Sequence, residues 1–413
     1  MSIAAVPGYL GKDFREASPG MRFGMYLAAW ESANWAKTKE QPLAGAKRLT
    51  DNDRKTMQAL CGRQKLLFEA MPPAEGLRLD AKATAPFTTG LGNEHPLENG
   101  FAFLNPYGLP YLPGSGVKGV LRQAARELAS GDWNDTQGWS RDEEKPYSVS
   151  IQKRTVMLSM CDVLFGRETA AGDADHVRGV LSFWDVIPEI KGESLHVEIM
   201  TPHQGHYYQQ KQDRKTGGSI SPHESGQPIP ITFLTVPPGS DFGFHVICDL
   251  PRLRRLAPEL AQNDQWKTLL TAAFEHAFAW LGFGAKTAVG YGALQRDHEA
   301  ERKRQQDAEE KERKAQEAAK RERERQTMSP LERSIHDFLD SRPDKNQGET
   351  SAVFGGLRDG HWQEDEKRAV AEWLKARLQE SGKWREVSSK KNPAKDKEYQ
   401  NTLKVKGWLE GKE

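Results

Sequence analysis

Apolar residues recur along the chain with two different periods, and the switches between them outline its elements. Met57, Leu60, Cys61, Gln64, Leu67 and Phe68 fall at helical spacing and predict a helix over 50–71. Leu77, Leu79, Ala81 and Ala83 alternate with polar residues, as the side chains of a half-buried strand do. Val117, Val120, Leu121, Ala124, Ala125 and Leu128 form a second helical stripe. Strands are expected at 180–186, 195–200, 231–236 and 242–247. Trp266, Leu269, Leu270, Phe274, Ala277, Phe278 and Leu281 mark a last helix, and 291–294 returns as a strand.

Strand, helix, two strands, helix, strand is the ferredoxin-like order, so the expected class is α+β, with helices covering one face of an antiparallel sheet. The pattern stops after Asp297. Residues 298–326 contain no large apolar side chain, and Glu299 with Lys303, Glu309 with Arg313, Glu310 with Lys314 and Glu317 with Arg321 stand at i,i+4 in the favourable order. With only alanine at its apolar positions, this stretch reads as a solvated helical linker and not as a coiled coil. Ser329, Pro330 and Glu332 then make a capping box, followed by Leu331, Ile335, Phe338 and Leu339 on one face. Val370, Trp373, Leu374 and Leu378 mark another helix, and Leu403, Val405, Trp408 and Leu409 close a small core. The expected organisation is a helical extension (1–75), a core (76–297), a charged helical linker (298–327) and a small α-rich domain (328–413).

Composition narrows the function. Lys and Arg number 59 against 58 Asp and Glu, so no global field draws the protein onto nucleic acid or membrane, and any RNA site must come from local clustering. The N-terminal MSIAAVPGYLGKDF lacks a basic region followed by an apolar core, and no stretch approaches the length of a membrane span. A cytoplasmic protein without membrane contact is expected. Cys61, Cys161 and Cys248 form neither a CxxC pair nor a disulfide framework and read as buried thiols.

Two glycine-rich segments carry the candidate chemistry. In 109–122, LPYLPGSGVKGVLR, backbone without side chains at Gly114 and Gly116 runs into a helix N-terminus, where unpaired N–H groups favour an anion. Ser115 is placed to cap the helix or to donate to a phosphate, and Lys118, Arg122 and Arg126 repeat every four residues as a basic ridge. An ordinary N-cap with a solvated face is the plainer reading. In 281–294, LGFGAKTAVGYGAL, the Lys286–Thr287 pair imitates a Walker loop, but Ala285 stands where glycine is needed and a helix precedes it, which excludes NTP hydrolysis. Gly282, Gly284 and Gly290, with Gly292, permit close backbone approach, while Lys286 offers a charge, Thr287 a hydroxyl and Tyr291 a stacking plane. The plainer reading is a tight turn around a core tyrosine.

Together, PGSGVKGVLR and GFGAKTAVGYG resemble the RAMP superfamily of CRISPR proteins. Cys161-Asp-Val-Leu-Phe-Gly166, Phe183-Trp-Asp185, Met200-Thr-Pro-His203 with Tyr207 and Tyr208, and Ile229-Pro-Ile-Thr-Phe-Leu234 come in the order of the Cmr sixth-subunit family. The resemblance covers roughly 77–294. It implies an RNA-recognition-like ferredoxin core with a glycine-rich loop, in a non-catalytic subunit that binds guide RNA near its 3′ end within a type III-B antiviral effector. The implied partners are guide RNA, target RNA and other Cmr subunits, above all the repeated backbone subunit that cuts target RNA. Residues 201–228 fit the superfamily's thumb insertion, with His203, Tyr207 and Tyr208 as stacking candidates.

Catalytic readings find less support in the residues. His203, His206 and His223 form an HxxH with a distant third histidine and no nearby cysteine, which is weak zinc spacing. Asp80 lies within an alternating strand, Asp162 and Asp185 suit structural hydrogen bonds, and the first histidine, His95, comes after the opening strand. No catalytic residue, metal or cofactor is therefore expected. The alternatives are a metal-independent endoribonuclease that processes guide RNA and a protein scaffold without RNA contact.

Overall fold

A computed structural model describes residues 2–31, 34–36, 42–133, 135–151, 154–167, 175–201, 230–342 and 346–411. They form two compact units, Met1–Lys303 and Arg304–Glu413.

The first unit is organised by one antiparallel sheet. Its strands are β1 (Gly76–Ala83), β2 (Leu181–Phe183), β5 (Asp241–Cys248) and β6 (Leu294–Arg296), while β3 (His196–Met200) and β4 (Ile231–Thr235) pair as a separate hairpin. The sheet runs β2-β5-β1-β6, so β1 and β5 are central and β2 and β6 lie at the edges. The register sets Phe242 opposite Ala81, Phe244 opposite Leu79 and Val246 opposite Leu77, which gathers the apolar positions of both central strands on one face. Helices α2 (Gly114–Ser130) and α3 (Gln265–His276) cover that face through Val117, Leu121, Leu128, Trp266, Leu270 and Phe274, all buried. After α3 the chain makes one wide π turn over Ala277–Leu281.

The opposite face carries ion pairs within and between strands. Arg78 meets Asp80 at 2.8 Å, and Lys82 meets Asp241 at 3.6 Å and Asp297 at 3.2 Å. The expectation that helices cover one face alone needs correcting here. Helix α1 (Asp51–Glu69) reaches the polar face at its β2 side, where the Phe68 ring packs on Trp184 and His245. Its side chains also bridge to the segment after β2, Gln64 donating to the Asp185 carbonyl at 2.8 Å. Residues before Gly76 join the main core through Phe23, Leu43 and Ala46. Tyr291 stays in a loop, because the returning strand β6 begins only at Leu294. Cys161 and Cys248 are buried and Cys61 half-buried; burial pushes the thiols of Cys161, Cys248 and Cys61 up to about 11, 12 and 12 respectively.

Residues His298–Thr327 form one helix, α4, with Glu301 in its first turn accepting from the Asp80 N–H at 3.1 Å and from Arg296. Farther on it is exposed, and Glu310 pairs with Lys314 at 2.6 Å. Such pairs on an open helix surface contribute only tenths of a kcal/mol each.

In the second unit, α5 (Pro330–Ser341), α6 (Glu349–Arg358), α7 (Glu364–Glu380) and α8 (Lys397–Leu409) enclose Ile335, Val353, Leu357, Trp362, Leu374 and Val405. The Ser329 hydroxyl accepts from the Glu332 N–H, and the Glu332 carboxylate accepts from the Ser329 N–H at 2.9 Å, closing the expected capping box. Leu403, expected in the core, is 44% exposed, because α8 turns Val405 inward instead. No described helix is long and apolar enough to cross a membrane.

Leu121 is fully buried, so Leu121→Ala should lower stability by about 2–5 kcal/mol, read from urea denaturation. Asp396 is nearly buried and accepts from the Ser389 N–H at 2.8 Å and from the Ser388 and Ser389 hydroxyls, bonds that hold its carboxyl down at about 2. A depressed folded pKa stabilises above the unfolded value near 4 and stops doing so as pH falls through the folded one. In calorimetry, the gap in melting temperature between the protein and Asp396→Asn should therefore be full at pH 6 and close between pH 4 and pH 2.

Candidate nucleic-acid interface

The first glycine-rich segment enters α2 with Pro113 at the N-cap position, and no side chain at that position caps the helix. The role of cap expected for Ser115 is therefore not taken; Ser115 is exposed. The leading N–H of the helix, on Gly114, donates to the Asp185 carboxylate at 2.7 Å. A negative group supplied by the protein itself thus sits at the positive helix end, as Asp185 was expected to do structurally. A Cβ on Gly114 would collide with the Phe183 carbonyl oxygen, so glycine serves the approach of α2 to β2. Gly116 is exposed, and its N–H closes back on the Pro113 carbonyl at 2.8 Å.

The basic ridge is not a solvated row. Arg122 donates to the Gly166 carbonyl, Arg126 meets Asp142 at 3.0 Å, and Lys118 is half-buried. Asp142 and Gly166 meet the face that helical spacing alone assigns to solvent. Asp162, between them in sequence, completes a capping box with Ser159.

The second segment is built differently. Gly282, Gly284, Gly290 and Gly292 all have positive φ. At Gly284 a Cβ would strike the Thr88 carbonyl, and at Gly292 the Phe283 carbonyl, because the Phe283 N–H donates to Gly292 O at 2.9 Å and the Ala285 N–H to Thr88 O at 2.8 Å. These two glycines serve the loop's own folding. Around Gly290 no described atom lies within 4 Å of an added Cβ, so this glycine answers to its positive φ and not to crowding. Lys286 also has positive φ, a strained state for a residue with a Cβ, costing about 1–3 kcal/mol and concentrated at functional sites. Its Nζ lies 5.7 Å from the Phe233 ring centre and 2.7 Å from Met200 Sδ, a weak acceptor for a strong donor. Thr287 opens the short 3-10 turn Thr287–Val289. Among the described residues no acceptor meets the N–H groups of Thr287 and Ala288. Tyr291 packs edge-on against Phe233 at 5.5 Å; burial, then the Glu198 carboxylate, push its hydroxyl above the usual range.

Met200 and Phe233 belong to the hairpin strands β3 and β4, so Lys286 stands at the base of the hairpin whose connection is 202–229. His203, Tyr207 and Tyr208, with His206 and His223, lie outside the described residues. Sequence reasoning missed Met200 and Phe233 as the cradle of Lys286. The structure does not bring the two glycine-rich segments together. One adjoins β2 and the other leads into β6, at opposite edges of the sheet. His95 stacks on Phe23 at 3.8 Å and bonds the Phe23 carbonyl, a structural role.

Lys286 and Gly290 therefore present a local cation beside open backbone, and Gly114 does not. In stability, Gly290→Ala should cost about 1–2 kcal/mol from backbone strain alone, and Gly284→Ala more because a carbonyl must also move. Urea denaturation of the two variants checks the order.

A family model described as the RAMP superfamily matches residues 80–295. The chain is 29% identical over 245 residues to the CRISPR system Cmr subunit Cmr6 of Pyrococcus furiosus, a match that takes in 52% of this chain and 66% of that protein. It thus spans just under two thirds of that relative's length. Among solved structures, the type III-B Cmr-beta complex bound to cognate target RNA contains a chain 16% identical, with a TM-score of 0.38 over 62% of this chain and 69% of that one. The crystal structure of Cmr6 from Pyrococcus furiosus is 27% identical, with a TM-score of 0.28 over 55% of this chain and all of that one. The family match covers just over half of the chain and contains both glycine-rich segments and most of the four-stranded sheet: this protein belongs to the RAMP superfamily.

Proposed function

We propose that this protein is a non-catalytic, guide-RNA-binding subunit of a type III-B CRISPR effector of the Cmr kind, seated near the guide 3′ end. Its sheet order and crossover helices read as a ferredoxin-like core, and 201–228 as a thumb beside the guide–target duplex. It packs on the repeated backbone subunit and works in the cytoplasm. The observation that carries the RNA contact is Lys286, a cation held in strained backbone next to Gly290 and two N–H groups that, among the described residues, meet no neighbour. A phosphate satisfies all three at once: charge for the ammonium, acceptors for the amides, and space where a side chain is missing. In the first segment, the exposed Ser115 and Gly116 remain candidate contacts, while Gly114 bonds Asp185 and Lys118, Arg122 and Arg126 are each already engaged. The identity to a Cmr6 protein supports the assembly.

Phosphate recognition predicts a loss that ignores base sequence. With full-length protein and fluorescent single-stranded RNA of two unrelated sequences, Lys286→Ala should weaken binding to both alike. It should also lower the slope of log K against log salt by about 0.7. A loss confined to one sequence contradicts the reading. So does RNA cleavage that disappears on replacing one histidine or aspartate, which would make the chain an endoribonuclease.

A further inference from the structure

Residues before 76 lie outside the RAMP match, yet they build a cleft of their own. Arg22 sets its floor. This guanidinium is 6% exposed and donates to the carbonyls of Ala17, Gly45 and Arg48, with Asp53 at 3.7 Å, so it ties three separate stretches of chain together. Above it opens a cavity of about 670 Å³ whose charged lining, among the described residues, is Lys12, Arg15, Arg22 and Arg48 against Asp13, a formal +3. Arg15 already grips Asp13 with two nitrogens, the shorter contact at 2.6 Å. The side chains of Lys12 and Arg48 are exposed and, among the described residues, engage no hydrogen bond or ion pair. Arg48 also lines the two adjoining hollows, which puts an unused guanidinium where three openings meet.

The same cavity has a flat apolar wall. Phe14 and Tyr26 stack with ring centres 4.2 Å apart and planes 3° from parallel, and both rings are half-exposed to the cleft. An acidic peptide would satisfy the cations and leave this wall wet. A nucleotide satisfies both, because its phosphate matches a guanidinium and its base stacks on any aromatic face. We propose that this cleft binds an unpaired nucleotide of an RNA strand, its phosphate on Arg48 and Lys12 and its base extending the Phe14–Tyr26 stack. The site rests on the RNA-binding reading of the chain, but on none of the residues of the glycine-rich loops.

The test uses full-length protein, a fluorescent single-stranded RNA, an abasic strand of equal length, and AMP as competitor. Lys12→Ala/Arg48→Ala should lower the salt slope by about 1.4, with unchanged melting since neither side chain bonds the fold. Phe14→Leu/Tyr26→Leu should weaken RNA binding about tenfold and leave abasic binding unchanged. An unchanged slope in the charge variant, or equal losses on RNA and abasic strand in the aromatic variant, overturns the site. Competition by AMP as effective as by the strand overturns it too, in favour of a free nucleotide. If Lys286→Ala alone lowers the slope, the cleft fails while the loop reading stands; if only the cleft variants lower it, the loop reading fails and the cleft stands. Absence of RNA binding by the unaltered protein sinks both.

Discussion

The pairing of β1 with β5 is the constraint on which the rest of the first unit depends. Its register places Phe242, Phe244 and Val246 across from Ala81, Leu79 and Leu77. A slip of one residue would turn every one of these side chains toward the ion pairs of Arg78, Asp80 and Lys82. Phe244 is the hub of the aromatic packing beneath the helices, with its ring 5.3 Å from Phe274, 5.8 Å from Phe278 and 5.0 Å from Phe283. One strand side chain thereby holds the last helix, the π turn and the glycine-rich loop to the sheet.

That anchoring explains why the loop has two kinds of glycine. Phe283 is drawn wholly into the core, so the chain on either side of it must press against Thr88 and against its own return through Gly292, where no side chain fits. Farther from the anchor, Gly290 escapes this crowding and is exposed, while Lys286, half-buried, reaches back to Met200 and Phe233. The first segment is closed by its own neighbours, with Asp185 on the helix end and Gly166 and Asp142 on the arginines. In a chain of net charge +1, an anion meets places of this local kind and not a general field. The cleft at Arg48 is a second such place, and it reaches the core by a different route, through the buried Arg22.

The charged helix and the second unit obey simpler physics. Residues 304–327 have nothing to bury, so the helix rests on propensity and exposed i,i+4 pairs. The second unit instead closes a core around Trp362, whose indole donates to Ser334 at 2.9 Å, and relies on side-chain caps at Ser329 and Asp396 to satisfy helix ends.

Periodicity made the α2 and α3 stripes, the β1 alternation, the charged helix and the Ser329 capping box legible from residues alone, because each is written within a few neighbouring positions. The glycine motifs, and with them the superfamily, were legible for the same reason. What each glycine and each cation does was decided only by the tertiary structure. Gly114 answers to Asp185, 71 residues away, and Lys286 to Met200, 86 residues away. Arg122, four residues after Lys118, looks solvated by helical spacing until the Gly166 carbonyl, 44 residues away, meets it. Phe14, Tyr26 and Arg48 carry no local pattern at all, since loops converge only when a buried group such as Arg22 collects them. Sequence by itself determined which elements form and to which family they belong; the packing between distant segments determined which of their polar groups are left over to meet another molecule.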